Sequence, residues 1–204
     1  MKKKLLITLS VVACALLLVV GSIAGTIAYL TSTATVTNTF TVGNIGITLD
    51  EANTDEQGVA TSGRTTSATG NTYKLIPGST YIKDPVIHVQ ANSESCYLFV
   101  KIDNQLKDIE TSIASQLDTN GWEKLDGATE NVYYKEAAIP TSTSVQDVKV
   151  FETITINNTV KNEALAAYSG KTIVVTAYAV QSANFNNAPE AAVAFAADFG
   201  LPTT

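Results

Sequence analysis

From position 31 to 42 the chain alternates with a period of two. Thr31, Thr33, Thr35, Thr37, Thr39 and Thr41 take every second place, with Ser32, Ala34, Val36, Asn38, Phe40 and Val42 between them. This is the periodicity of a strand, and Thr is a good strand former. One face would be all Thr, and the other turns apolar from Ala34 onward. Fully extended, positions 31–41 reach about 36 Å at 3.3 Å per residue. Asn44, Ile45 and Gly46 break the run, and Ile47, Thr48 and Leu49 resume it.

The stretch 51–71 is polar and carries Gly58, Gly63 and Gly70, which predicts a mobile loop. Residues 73–76 lead into a turn at Pro77-Gly78. Residues 85–89 predict a short strand with Pro85 at its start, where a missing N–H is tolerated. Residues 96–102 and 173–180 are apolar on nearly both faces and predict two core strands. Ile109, Ile113 and Leu117 have helical spacing. Residues 122–125 and 132–134 suggest a hairpin, and 148–156 alternates as one strand. Residues 163–168 predict a short helix. Residues 189–199 predict an Ala-rich helix with Pro189 near its start and Gly200 as its stop. About eight strands with two or three short helices point to an all-β fold, a jelly-roll-like β-sandwich.

The N-terminus has the order of a secretory signal peptide. Lys2, Lys3 and Lys4 precede an apolar run over 5–20, and small residues follow. Thr26 and Ala28 sit at −3 and −1 of a cut between Ala28 and Tyr29, so a cleaved signal helix at 1–28 and a single domain at 29–204 are expected. A cut after Ala24 and a retained anchor are the alternatives, because the apolar run to Leu30 exceeds the about 20 residues that span a bilayer. Cys14 sits mid-run, where lipidation would leave a greasy new terminus.

The 204 residues carry 13 Lys+Arg against 19 Asp+Glu. Cutting after Ala28 removes three Lys and no acid, leaving 10 bases against 19 acids, a charge of −9. Such a chain favours solubility and disfavours nucleic acid as a partner. Cys96 would be the only thiol, so no intramolecular disulfide can form and the core must carry the fold. Catalytic material is scarce. A zinc protease needs about three ligands and a base, and His88 is the only His. An unreactive His88 and a buried Cys96 are the plain readings. Asp50, Glu51, Asp55 and Glu56 lack the spacing of an EF-hand and predict a solvated acidic loop, with weak calcium binding as the alternative. No enzyme activity, metal or cofactor is expected.

Several segments together resemble a known family. They are residues 25–30 (GTIAYL), 40–49 (FTVGNIGITL), 75–78 (LIPG), 83–85 (KDP), 96–100 (CYLFV) and 177–181 (AYAVQ). In order and spacing they are similar to the bacterial biofilm-fibre family of TasA and camelysin, exported with a dedicated SipW-type signal peptidase. The resemblance implies a jelly-roll domain and secretion by a Gram-positive bacterium, to the extracellular matrix or cell surface. It also implies assembly into fibres by donor-strand exchange, in which the N-terminal strand of one subunit completes the sheet of the next. The expected partners are further copies of the chain, head to tail, and the SipW-type peptidase, with cell wall or other matrix proteins as further candidates. The camelysin branch also carries a metalloprotease label, which the residue inventory argues against.

The donor strand would span about 29–42, with Thr31, Thr33, Ala34, Val36, Asn38, Phe40 and Val42 making the contact and Val36 and Phe40 filling pockets. A long first strand with no hairpin partner before it exposes unpaired N–H and C=O groups, which invites pairing with another chain. Pairing within its own domain is the alternative, as is a non-polymerising surface module or fibre cap.

Overall fold

A computed structural model describes residues 3–4, 11–14, 16, 43–66 and 70–202. The expected cleavage site, Ala28 and Tyr29, and the expected donor positions Thr31, Thr33, Ala34, Val36, Asn38, Phe40 and Val42 lie outside the described residues. The chain divides into two units, Met1–Thr41 and Val42–Thr204. In the first, residues 3–4, 11–14 and 16 are helical. Among the described residues no helix is long and apolar enough to cross a membrane.

The second unit is an all-β body with short helices. One sheet has strands β1 (Ile47–Thr54), β2 (Ala60–Thr66), β4 (Val86–Val89) and β8 (Gln146–Lys149) in the order β2-β1-β4-β8. A second has β5 (Cys96–Asn104), β6 (Glu123–Lys124), β7 (Val132–Tyr134) and β10 (Ile173–Gln181) in the order β10-β5-β7-β6. Two short strands, β3 (Thr80–Ile82) and β9 (Thr153–Thr155), pair separately. Every pairing is antiparallel.

The two core strands foreseen in the sequence pair with each other along their whole length, from Cys96 opposite Gln181 to Asn104 opposite Ile173. Their two apolar faces serve different cores. Cys96, Leu98, Val100 and Ile102 point into a cluster shared with Ile87 and Val89 of the first sheet and with Tyr81 and Ile154 of the small one. Tyr97 and Phe99 point the other way, against Val132, Tyr134 and the C-terminal segment. That segment is three short helical turns rather than the single helix expected: α3 (Ala188–Ala191), a 3-10 turn (Ala192–Phe195) and α4 (Ala196–Phe199). It ends at Gly200, whose φ of 63° makes the left-handed cap. Phe199 is fully buried, with its ring 5.5 Å from Phe99, 5.4 Å from Phe195 and 5.0 Å from Tyr178.

Three other expectations are corrected. The polar stretch 51–71 is not a loop in its described part: β1 runs through to Thr54 and β2 returns beside it. The turn between them is held by the Asp55 carboxylate, which accepts the amides of Gln57 (3.0 Å) and Val59 (2.9 Å). Gly58 takes a φ of 76°, and a Cβ there would lie 2.6 Å from the Tyr81 backbone. The alternating run 148–156 is two strands in different sheets, because Val150 and Phe151 are both fully buried and adjacent buried residues break a period of two. The helix expected over 109–117 is α1 (Ile113–Thr119). It starts late because the Glu110 carboxylate accepts the amides of Ser112 (2.9 Å) and Ile113 (3.1 Å).

Candidate functional site: an open sheet edge and its groove

The strand order leaves β10 at the edge of its sheet. Its nine residues pair with β5 on one side, and among the described residues its other side has no partner. Its inward side chains, Ile173, Val175, Ala177 and Ala179, lean on the main core but are only half-buried. For Ile173 and Val175 the reason is local. Beside the first residues of β10 lies a groove of about 900 Å³. Leu49 and Glu51 of β1 form one wall with Tyr73 and Leu75, and Tyr168, Ile173 and Val175 form the other. Tyr168 comes from the 3-10 turn (Ala166–Tyr168) that continues helix α2 (Asn162–Leu165). An unpaired backbone edge beside an open, half-apolar groove offers hydrogen bonds and side-chain pockets to one more strand.

The wall formed by residues 70–75 is fastened to β1 by Asn71. Its amide NH₂ donates to Ala52 O (2.8 Å) and Glu51 Oε1 (3.1 Å), while its carbonyl accepts the Thr54 amide (3.0 Å). Tyr73 donates its hydroxyl to Ile82 O (2.8 Å), and burial pushes that phenol up to about 12. The Tyr81 hydroxyl donates to Lys74 O (2.6 Å) and accepts the Ile76 amide (2.7 Å). Glu51 is buried and bonded to Lys83 Nζ at 2.8 Å. Replacing Lys83 by Met leaves a buried carboxylate with Asn71 alone, and an expected loss of about 2 kcal/mol follows. Urea denaturation is the check, and adding Glu51→Leu should recover most of the loss.

The acidic residues 50–56 do not form one loop. Asp50 and Glu51 sit on opposite faces of β1, Asp55 holds the hairpin turn and Glu56 is exposed. Asp50 belongs to a row of charges that crosses the first sheet. Asp147 Oδ1 of β8 bonds His88 Nδ1 of β4 at 2.6 Å. His88 Nε2 stands 3.1 Å from Asp50 Oδ1, close enough for an ion pair but off the hydrogen-bond line. Asp50 in turn accepts Arg64 Nε of β2 at 2.6 Å, and Arg64 reaches Asp84 at 2.8 Å. Burial alone would lower the His88 pKa, but its contacts with Asp147 and Asp50 outweigh that and raise it. Burial alone would raise the Asp50 carboxyl, but Arg64 and His88 hold it below its usual range.

A raised folded-state pKa means that the His88 contribution is fully present below about pH 6.5 and fades as the pH rises through the folded value. Wild type should therefore exceed His88→Gln in stability by about 1 kcal/mol near pH 5.5. Urea midpoints of both proteins should show the gap narrowing toward pH 8.5. A constant gap would mean that His88 acts by packing alone.

Cys96 is fully buried, and burial pushes its thiol up to about 11. That is the environment of an inert core residue, far from the lowered pKa of a reactive thiolate. Among the described residues no group of three or more His, Cys, Asp and Glu side chains is placed to hold a metal ion. No family model, no curated protein and no solved structure matches the chain. The functional reading therefore rests on the residues and on this geometry.

Proposed function

We propose that the protein is a secreted structural subunit that polymerises into extracellular or biofilm-matrix fibres. In this reading the body is a jelly-roll-like sandwich short of one strand. Residues 29–42 of a neighbouring copy supply that strand after a SipW-type peptidase cuts between Ala28 and Tyr29. One observation carries the reading: β10 is a nine-residue strand with an unpaired outer edge among the described residues, beside a groove that leaves Ile173 and Val175 half-exposed. The Thr-alternating segment has the matching chemistry, with Ala34, Val36, Phe40 and Val42 on one face and Thr on the other. A strand that joins unlike surfaces of successive copies makes an open chain rather than a closed ring of two. The sequence likeness to TasA and camelysin supports the same reading. His88, engaged by two carboxylates, and the inert Cys96 have structural roles here, and the reading assigns no catalysis.

The test is to secrete the full chain from a Gram-positive host with and without a SipW-type peptidase. Negative-stain microscopy and sedimentation follow the product over time, and mass spectrometry reads its N-terminus. Filaments made of chains that begin at Tyr29 are expected only with the peptidase. A processed protein that stays monomeric at high concentration, with 29–42 protected from protease, would favour a non-polymerising surface module or fibre cap.

A further inference from the structure

A segment 31–42 that lies antiparallel on β10 can come only from another copy. We propose that the segment seated on this edge comes from a second copy, approaches from the Ile173 end and runs antiparallel to β10, with Phe40 and Val42 filling the groove. The proposal rests on the reading that β10 is the acceptor edge, and it adds the polarity and the side chains.

Asn44 O accepts the Glu94 amide (2.9 Å) and Gly46 O accepts the Gln90 amide (2.9 Å). Glu94 lies just before Cys96, which pairs with Gln181, and Ser95 O accepts the Ser182 amide (2.9 Å). Residue 43 therefore leaves the body at the Gln181 end of β10. A copy that laid its own segment along β10 would put position 42 beside Gln181 and lower numbers toward Ile173. Both strands would then run the same way, in parallel. Reach does not forbid this, since twelve residues extend about 40 Å and nine extend about 30 Å.

A segment from another copy has two approaches. From the Gln181 end it is again parallel, like ends meet, and two copies can satisfy each other in a closed pair. From the Ile173 end it is antiparallel, unlike ends meet, and the contact repeats without closing.

The groove decides between them. Its walls take Leu49, Asp50 and Glu51 from β1 and residues 170–175, which lead into and begin β10, whereas Ile47, Ala177 and Ala179 are not part of them. The opening is thus at the Ile173 end. An antiparallel segment brings Phe40 and Val42 to that opening. A parallel one brings Thr31, Ser32, Thr33 and Ala34, the least apolar part of the segment, and leaves about 900 Å³ of half-apolar space without bulk to fill it. Burying Phe rather than Thr in such a groove is favoured by the hydrophobic effect. Antiparallel pairing is also slightly the more stable per residue.

Paired cysteines in the full secreted chain test this. Val174 is 49% exposed near the start of β10, and Val174→Cys is combined in turn with Thr39→Cys, Thr41→Cys, Thr33→Cys and Thr35→Cys. Cys96 is fully buried and stays out of the reaction. After mild oxidation of assembled material, the Thr39 and Thr41 pairs should give a ladder of covalent multimers at least tenfold stronger than the Thr33 and Thr35 pairs. Filaments with the reverse preference overturn the polarity and leave polymerisation standing. A bond within single chains from Thr33→Cys or Thr35→Cys overturns both. No bond to position 174 from any of the four overturns the assignment of this edge, whether or not filaments form.

Discussion

On the proposed reading, secreted chain lacking residues 29–39 is expected to remain folded and monomeric at concentrations that drive the intact protein into filaments. The deletion removes all but Phe40, Thr41 and Val42 of the proposed donor strand, a remnant too short to hold a neighbour by backbone pairing, and leaves β10 and its groove in place. The truncated body is then an acceptor without a donor. A peptide of residues 29–42 added at a hundredfold excess over its dissociation constant should stabilise that body by about 2.7 kcal/mol. Calorimetry would read this as a rise in melting temperature. The same truncation mixed into intact protein should shorten filaments, because a subunit that accepts but cannot donate ends growth at one side. Filaments of normal length from the truncation alone would sink the model.

Phe199→Ala is expected to cost about 3–5 kcal/mol, the range for emptying a large aromatic site in a core. Phe199 is fully buried and touches Phe99, Phe195 and Tyr178. These rings hold the C-terminal turns against the outer face of β5, so the loss combines a cavity with partial release of the cover. For a body of this size the melting temperature should fall by about 10 °C. Thermal unfolding followed by circular dichroism is sufficient to see it. A drop below about 2 °C would mean that the segment after Pro189 contributes little to the fold.

Parts of this architecture were legible in the sequence because chemistry and periodicity agreed. Residues 96–102 and 173–180 read as strands apolar on both faces; the structure pairs them and covers both faces of β5, but it leaves β10 half-exposed. The hairpin of β6 and β7, the turn at Pro77-Gly78 and the stop at Gly200 carried their own local signals. Other parts had no such signal. Strand β2 (Ala60–Thr66) is mostly exposed and polar, so nothing in it alternates, and its partner β1 supplies its order through backbone pairing. The split between β8 and β9 turns on Val150 and Phe151 being buried side by side, which no period of two foretells. The groove was least visible. That Ile173 and Val175 are apolar could be read, but their half-burial follows from β10 standing last in its sheet. The isolated His88 drew attention as a lone ligand candidate, and its real neighbours come from strands far away in sequence.

The exposed polar strand β2 has a consequence for the material as a whole. Among the described residues the outer side of β2 has no partner strand, and β2 carries Thr61, Ser62 and Arg64; the opposite edge, β8, ends at Lys149, which is bridged to Glu152 at 2.6 Å. Polar and charged edges of this kind resist further pairing. On the proposed reading the subunit would be, in the language of polymer chemistry, a difunctional monomer. Its solutions would thicken by chain lengthening without branching or gelling, and any network in the finished matrix would need a separate cross-linker.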